Sequence, residues 1–221
     1  MLVEALLAFA AALLALRLAS GLAARWRTRG APELAAWSAG LLSYSVAAAA
    51  LAWGAAAGWD DRAFRVYYLF GGLLTAPLLG LGSLLLVKRG WALWVGLVYV
   101  GLAIGVAIAV PLHGEIAGST IPEAQAHLDF FPARLVALVG NIAGTLAVLG
   151  VAIATIRRRP LGNALVIAGV ATAAAGTALA GLGTVKTPIF VAIAALLLYG
   201  GFTAKPRRPA NQSLPSRVLQ D

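Results

Sequence analysis

Cysteine is absent from this chain of 221 residues. Its absence excludes disulfides, thiolate zinc sites, iron–sulfur clusters and thiol nucleophiles. Charged residues are also scarce, at 11% of the chain, and only eight residues are acidic. Because an ordinary soluble domain carries about 25% charged residues, this deficit argues against that class. Disorder is excluded as well, since 61% of the residues are hydrophobic.

Seven long apolar runs make up most of the chain. Each is close to the roughly 20 residues that a membrane-crossing helix needs. The runs are continuously apolar and do not alternate, which argues against barrel strands. We therefore predict an all-α fold, a polytopic seven-helix transmembrane bundle over residues 1–204, followed by a disordered basic cytoplasmic tail over 205–221. The predicted spans are 2–22, 34–57, 64–87, 91–112, 132–156, 162–183 and 187–204.

The basic residues predict the orientation of the bundle. Twelve of the 17 Lys and Arg residues fall on one side of it: Arg25, Arg27, Arg29, Lys88, Arg89, Arg157, Arg158, Arg159, Lys205, Arg207, Arg208 and Arg217. The positive-inside rule assigns this side to the cytoplasm, with the N-terminus outside and the C-terminus inside. The net charge of +9 then reflects topology and not nucleic-acid binding. The predicted location is the bacterial cytoplasmic (inner) membrane.

The first run is predicted to be an uncleaved span, because its basic cluster follows the apolar stretch and a secretory signal has the reverse order. No Asp, Glu or His falls in the middle of a predicted span, so a proton relay has no candidates. Arg17 is the exception, a charge inside the first span and within a turn or two of its cytoplasmic end. We favour the interpretation that it reaches the inner headgroups over a buried functional role.

Uncharged polar residues within the spans are candidates for a binding cavity. Pro77 should kink the third span and free backbone carbonyls. Asn141 has several hydrogen-bonding sites to satisfy and must face protein or water. The predicted cavity residues are Thr75, Pro77, Asn141, Thr145 and Tyr44. For any single one of them, hydrogen bonding between helices is the competing interpretation, and it is the one we favour.

The longest connection covers residues 111–131. Its sequence Thr120-Ile121-Pro122-Glu123 matches a capping box and predicts a short interfacial helix from about 121 to 131. Five side chains are candidate metal ligands there: His113, Glu115, Glu123, His127 and Asp129. A solvated acidic loop is the alternative that we favour.

Small residues recur at helical spacing in the spans. Gly54 and Gly58, Gly101 and Gly105, and Gly140 and Gly144 form GxxxG pairs. We favour packing within the bundle over dimerisation as their role.

Two stretches carry a family resemblance: AFRVYYLFGGLLTAPLLGLGSLLLV and RRRPLGNALVIAG. With them the chain resembles uncharacterised seven-helix integral membrane proteins of high-GC bacteria, a resemblance that implies no activity. The topology is also that of opsins and SWEET transporters. A retinal protein is rejected, because a microbial rhodopsin carries its retinal lysine in the middle of the last span, and here Lys186 lies at the outer edge of that span. Haem is not expected either, and the cofactor stays unknown.

These observations favour a small-molecule transporter or channel-like protein. The alternative is a non-enzymatic accessory subunit or sensor of a membrane complex, contacting a partner membrane protein. A third hypothesis is an enzyme acting through the 111–131 loop, although the scarcity of catalytic groups in the spans favours a protein without enzymatic activity. The expected environment is the lipid bilayer, with a small-molecule ligand or a partner membrane protein and no nucleic acid.

Overall fold

The computed structural model describes residues 2–180 and 187–204, without the side chains of 177–180. The described residues are helical and contain no strand. The predicted tail 205–221 and the end of the sixth predicted span lie outside them. The helices are α1 (Leu2–Arg29), α2 (Pro32–Ala57), α3 (Asp61–Leu86), α4 (Trp91–Ala109), α5 (Ala124–His127), α6 (Leu135–Ala154), α7 (Pro160–Ala180) and α8 (Thr187–Thr203).

Five helical segments of this described part are long and apolar enough to cross a membrane. They are α1, α2, α3, α4 and the segment Phe130–Ala154, which contains α6. Two shorter apolar helices accompany them, Pro160–Gly176 within α7 and Thr187–Thr203. The all-helical fold and the apolar helices indicate a membrane protein, while the count of seven spans stays a prediction.

Long helices that follow one another in the chain run antiparallel, so the bundle has two ends of different charge. The Ser38 hydroxyl of α2 donates to the Ala19 carbonyl of α1 at 2.9 Å, and Ser45 donates to Ala12 at 2.8 Å. One end of the bundle, which we call the basic end, carries Arg25, Arg27, Arg29, Lys88, Arg89, Arg157, Arg158 and Arg159. The opposite end, the loop end, carries the 110–134 connection. Which end faces the cytoplasm stays a prediction.

Small side chains let the central helices approach closely. Ala8 and Ala11 of α1 are fully buried. Helices α3 and α6 cross at Gly80 and Gly144, where a Cβ on Gly80 would lie 2.6 Å from the Gly144 Cα. Such packing matters because lipid supplies no hydrophobic force between helices. Gly144 therefore serves helix packing within the bundle, as predicted. A Cβ added at Gly101, in contrast, would have no neighbour within 4 Å.

Two helices differ in extent from the predicted segments. Helix α1 continues past residue 22 to Arg29, so it projects beyond the predicted first span. The predicted helix over 121–131 is only Ala124–His127. Glu123 is extended at its start, and Phe131 is extended as the residue before a proline usually is.

Candidate functional site at a helix irregularity in α3

Helix α3 changes its hydrogen-bonding pattern near its middle. The segment Tyr68–Leu74 is a π-helix, and α-helix resumes at Thr75. Pro77 follows at once and has no backbone N–H to donate. In α-helical register that missing donor would serve the Leu73 carbonyl, and in π register it would serve Gly72. The proline therefore leaves one of these two adjacent carbonyls without a backbone donor, and the helical register decides which one.

Side chains from two other helices serve these two carbonyls. The Tyr99 hydroxyl of α4 donates to the Leu73 carbonyl at 2.9 Å and also lies 3.2 Å from the Val136 carbonyl. The Asn141 Nδ2 of α6 donates to the Gly72 carbonyl at 2.6 Å and to Ala137 at 2.8 Å. We call Gly72, Leu73, Tyr99 and Asn141 the α3 junction. It joins three helices through polar contacts on one irregular turn.

The α3 junction lies deep in the bundle. Leu73 is 12 residues from the start of α3, or about 18 Å along a helix. Leu86, where the helix ends, is about 20 Å away in the other direction. The freed carbonyls are therefore near the middle of a roughly 30 Å hydrocarbon layer, where backbone groups need protein or water partners.

The other predicted cavity residues take different places. The Thr75 hydroxyl donates to the Phe70 carbonyl at 2.7 Å and stays within α3. Thr145 is half-buried one turn after Asn141 on α6, and no side-chain hydrogen bond from it to the junction occurs among the described residues. Tyr44 of α2 donates to the Val191 carbonyl of α8 at 2.6 Å, which is a separate helix contact. Of the five predicted residues, Asn141, Thr75 and Pro77 lie at the irregularity.

A narrow crevice opens at the loop end of the π-helical segment. Its volume is about 10 Å³, room for about one water molecule. Phe64, Arg65 and Tyr68 line it from α3, and Val106 and Leu128 lie opposite. The Tyr68 hydroxyl is buried with no hydrogen-bond partner among the described residues. A buried hydroxyl without a partner is costly, so this crevice suits a water molecule or a polar solute.

The 110–134 connection covers this crevice and is not simply a solvated loop. Ile116 and Leu128 of the connection are 7% and 6% exposed and pack into one core cluster with Trp59 and Phe64. The backbone N–H of Trp59 donates to the Gly118 carbonyl at 2.7 Å. Apolar burial thus holds the connection against the ends of α3 and α4.

Three of the predicted metal ligands contact one another within this connection. The His113 N–H donates to the His127 carbonyl at 2.9 Å. The His127 Nδ1 lies 2.8 Å from the His113 carbonyl, so that nitrogen is a donor. The Nε2 of His113 lies 3.1 Å from the Asp129 carboxylate. These contacts join the part of the connection around His113 to the part around His127 and Asp129.

The two predicted glutamate ligands lie elsewhere. Glu115 lines an open groove of about 370 Å³ with Asp60 and Asp61, and Glu123 accepts from Gln125 at 3.4 Å. Over the described part of the chain, no three His, Asp or Glu side chains come close enough to hold a metal ion. The structure therefore brings His113, His127 and Asp129 together and places Glu115 and Glu123 elsewhere.

Two arginines act as helix caps, a role that the sequence patterns left unassigned. The Arg65 Nη1 donates to the carbonyls of Ala107 and Val110 at 2.9 Å each, at the end of α4. The Arg159 Nη2 donates to the Ala204 carbonyl at 2.7 Å, at the end of α8. Each guanidinium meets free carbonyls at the negative end of a helix dipole. Their positions at the ends of apolar runs, Arg65 near the start of the third predicted span and Arg159 between the fifth and sixth, were the available signal.

Arg17 lies on the outer surface of α1. Its side chain is exposed, whereas Leu18, Ala19 and Leu22 beside it are at most 5% exposed. The buried functional role for Arg17 finds no support in this placement. An exposed position is what the alternative, a guanidinium reaching the headgroups, requires.

Comparison with protein-family models, curated proteins and solved structures finds no match to this chain. The expected resemblance to seven-helix proteins of high-GC bacteria thus stays a prediction, and function must be inferred from the geometry alone.

Proposed function

We propose that this protein is a small-molecule transporter or channel-like protein of the bacterial cytoplasmic membrane. Seven spans, with the N-terminus outside and the basic end inside, are part of the same proposal. The observation that carries it is the α3 junction, where an interrupted helix presents two carbonyls near the middle of the bundle. Interrupted helices occur at solute sites in many transporter folds.

The chemistry of the junction favours a solute that donates hydrogen bonds. The Gly72 and Leu73 carbonyls are acceptors, and Asn141 and Tyr99 occupy them in this closed arrangement. Both donors are side chains on other helices, so rotation of α4 or α6 would release the carbonyls. A small polar solute with hydroxyl or amino groups could then take their place.

The crevice beside Tyr68 supports an entry route from the loop end. The π-helical segment starts at Tyr68, in the crevice, and ends at Leu74, beside the junction. A solute that displaced the covering loop would meet the unpartnered Tyr68 hydroxyl first. The route would then follow the irregular side of α3 to the carbonyls.

Transport can be tested with purified protein in proteoliposomes. Shrinkage and re-swelling on mixing with glycerol, urea or erythritol reports neutral-solute entry, and a potential-sensitive dye with K⁺ or Na⁺ gradients reports ions. We expect at least one solute to enter faster than in protein-free vesicles. Asn141→Leu should change that rate severalfold, because it alters the donor at the Gly72 carbonyl.

Tyr44→Phe is the matched control, because it removes an equally deep hydrogen bond at the α2–α8 contact. It should leave solute entry unchanged. Entry rates equal to those of empty vesicles for every probe would refute the proposed function.

A second candidate function, an accessory subunit of a membrane complex, is favoured by α4. Its side chains Trp94, Val98 and Ile108 are 72%, 73% and 76% exposed, and Gly101 between them leaves open space. A membrane helix of a partner protein could approach this face closely. Native mass spectrometry of protein extracted gently from its own membrane would detect a second polypeptide in fixed ratio. Loss of that polypeptide with Gly101→Leu would support this candidate.

A further inference from the structure

We propose that Arg17 and the α1 surface beside it bind the phosphate headgroup of an anionic phospholipid. The ligand class is a phosphodiester drawn from the leaflet at the basic end of the bundle. The surface, which we call the Arg17 face, consists of Arg17, Ser20, Gly21, Ala24 and Arg25. Its binding role is independent of the transport proposal.

Contacts between α1 and α2 fix the depth of Arg17. Ala19 is level with Ser38, because the Ser38 hydroxyl donates to its carbonyl at 2.9 Å. Ser38 is six residues from the start of α2 at Pro32. Arg17 lies two residues further from the basic end, so its Cα is about 12 Å from the start of α2.

That depth is inside the hydrocarbon layer. Helix α2 has 26 residues and is about 39 Å long, so roughly 4–5 Å at each end extends beyond a 30 Å hydrocarbon core. The Cα of Arg17 is then about 7 Å below the headgroup boundary. A charged group at this depth is costly unless it reaches water or a counter-charge.

The side chains that the structure describes supply no counter-charge to Arg17. Its guanidinium has no hydrogen bond or ion pair with any residue in 2–180 or 187–204. Reaching the headgroups unaided also runs against helix geometry. The Cα–Cβ bonds of a helix tilt toward its N-terminus, which for α1 is away from the basic end. A phosphate drawn toward Arg17 would supply the counter-charge that the described residues lack.

The small residues beside Arg17 leave room for such a phosphate. Ser20, Gly21 and Ala24 lie three, four and seven positions after Arg17, so they share its face. All three are exposed, and a Cβ on Gly21 would meet nothing within 4 Å. Arg25 is level with the start of α2 and leans toward Gly21. Arg25 therefore leans over this open patch, and Arg17 lies at its inner edge. An Arg17 guanidinium turned back over Gly21 would place two positive charges around one phosphodiester.

The test is lipid binding by native mass spectrometry of the full chain. Wild type and Arg17→Gln are titrated with phosphatidylglycerol and, separately, with phosphatidylcholine. We expect wild type to bind phosphatidylglycerol in preference to phosphatidylcholine. Arg17→Gln should weaken phosphatidylglycerol binding about tenfold, which is typical for loss of a hydrogen bond to a charged group. Arg29→Gln is the control, since it removes the same charge beyond the Arg17 face.

Four results would overturn the proposal. Arg17→Gln could bind phosphatidylglycerol as wild type does, or Arg29→Gln could weaken binding equally, which would leave only a general charge effect. Phosphatidylcholine could bind as tightly as phosphatidylglycerol. Inorganic phosphate at millimolar concentration could displace the lipid completely, which would indicate a free anion as the ligand.

Arg17→Lys keeps the test decisive if Arg17→Gln does not fold. Lysine retains the charge and loses the planar two-point contact with phosphate. A weaker preference for phosphatidylglycerol than in wild type supports the Arg17 face, and an unchanged preference overturns recognition by the guanidinium.

Discussion

The α3 junction makes a sharp energetic prediction about Asn141 and Pro77. If Asn141 is present because Pro77 lacks an N–H, then Asn141→Leu should cost much less stability when Pro77 is replaced by alanine. With Pro77→Ala, the segment can return to α-helical register. The N–H groups at positions 76 and 77 then reach the Gly72 and Leu73 carbonyls.

The magnitude follows from the contacts. Asn141→Leu leaves the Ala137 carbonyl with its ordinary helical donor, but the Gly72 carbonyl loses the side-chain donor at 2.6 Å. Hydrogen bonds between membrane helices average about 0.6 kcal/mol and reach about 1.7 kcal/mol. Because leucine offers no substitute donor, we expect a loss of about 1–2 kcal/mol in unfolding free energy. In the Pro77→Ala background the loss should fall to less than half of that.

Unfolding in mixed micelles with increasing sodium dodecyl sulfate, followed by circular dichroism, gives the four free energies of this double-mutant cycle. Tyr44→Phe in the same two backgrounds is the control, and its effect should be additive with Pro77→Ala because its bond is to α8. Equal costs of Asn141→Leu in both backgrounds would refute the idea that Asn141 compensates for the proline.

Three further predictions concern helix packing, a helix cap and a hydrogen bond between two helices. Gly144→Ala should lower the thermal midpoint in detergent strongly, because its Cβ would collide with the α3 backbone, while Gly105→Ala should change it little. No difference between these two variants would contradict the close crossing. Arg65→Gln should destabilise by about 1–3 kcal/mol by uncapping α4, and Arg62→Gln, an exposed neighbour, by less than about 0.5 kcal/mol. Detergent unfolding measures both, and equal effects would argue against the cap. Tyr44→Phe should cost about 0.6–1.5 kcal/mol by the same assay, and no loss would mean that its bond to α8 is not formed in solution.

The sequence alone determined the helical, membrane-embedded character of this protein. Continuous apolar runs with few charges have no other stable arrangement in a bilayer, because each backbone group must be satisfied within its own segment. It also determined that α3 would be irregular near Pro77, since a proline removes a donor wherever it lies in a helix.

The tertiary structure alone decided which groups meet at that irregularity. Asn141 is 69 residues from Gly72, and Tyr99 is 26 residues from Leu73, so no local pattern relates them. The pairing of Asn141 with Gly72 depends on the close crossing of α3 and α6 at Gly80 and Gly144. The same holds for the 110–134 connection. Its acidic residues are exposed, as the predicted solvated loop requires, and its buried Ile116 and Leu128 also pack it onto the helix ends. Helical character is set within each segment, whereas the partners of its polar groups are set by neighbours distant in sequence.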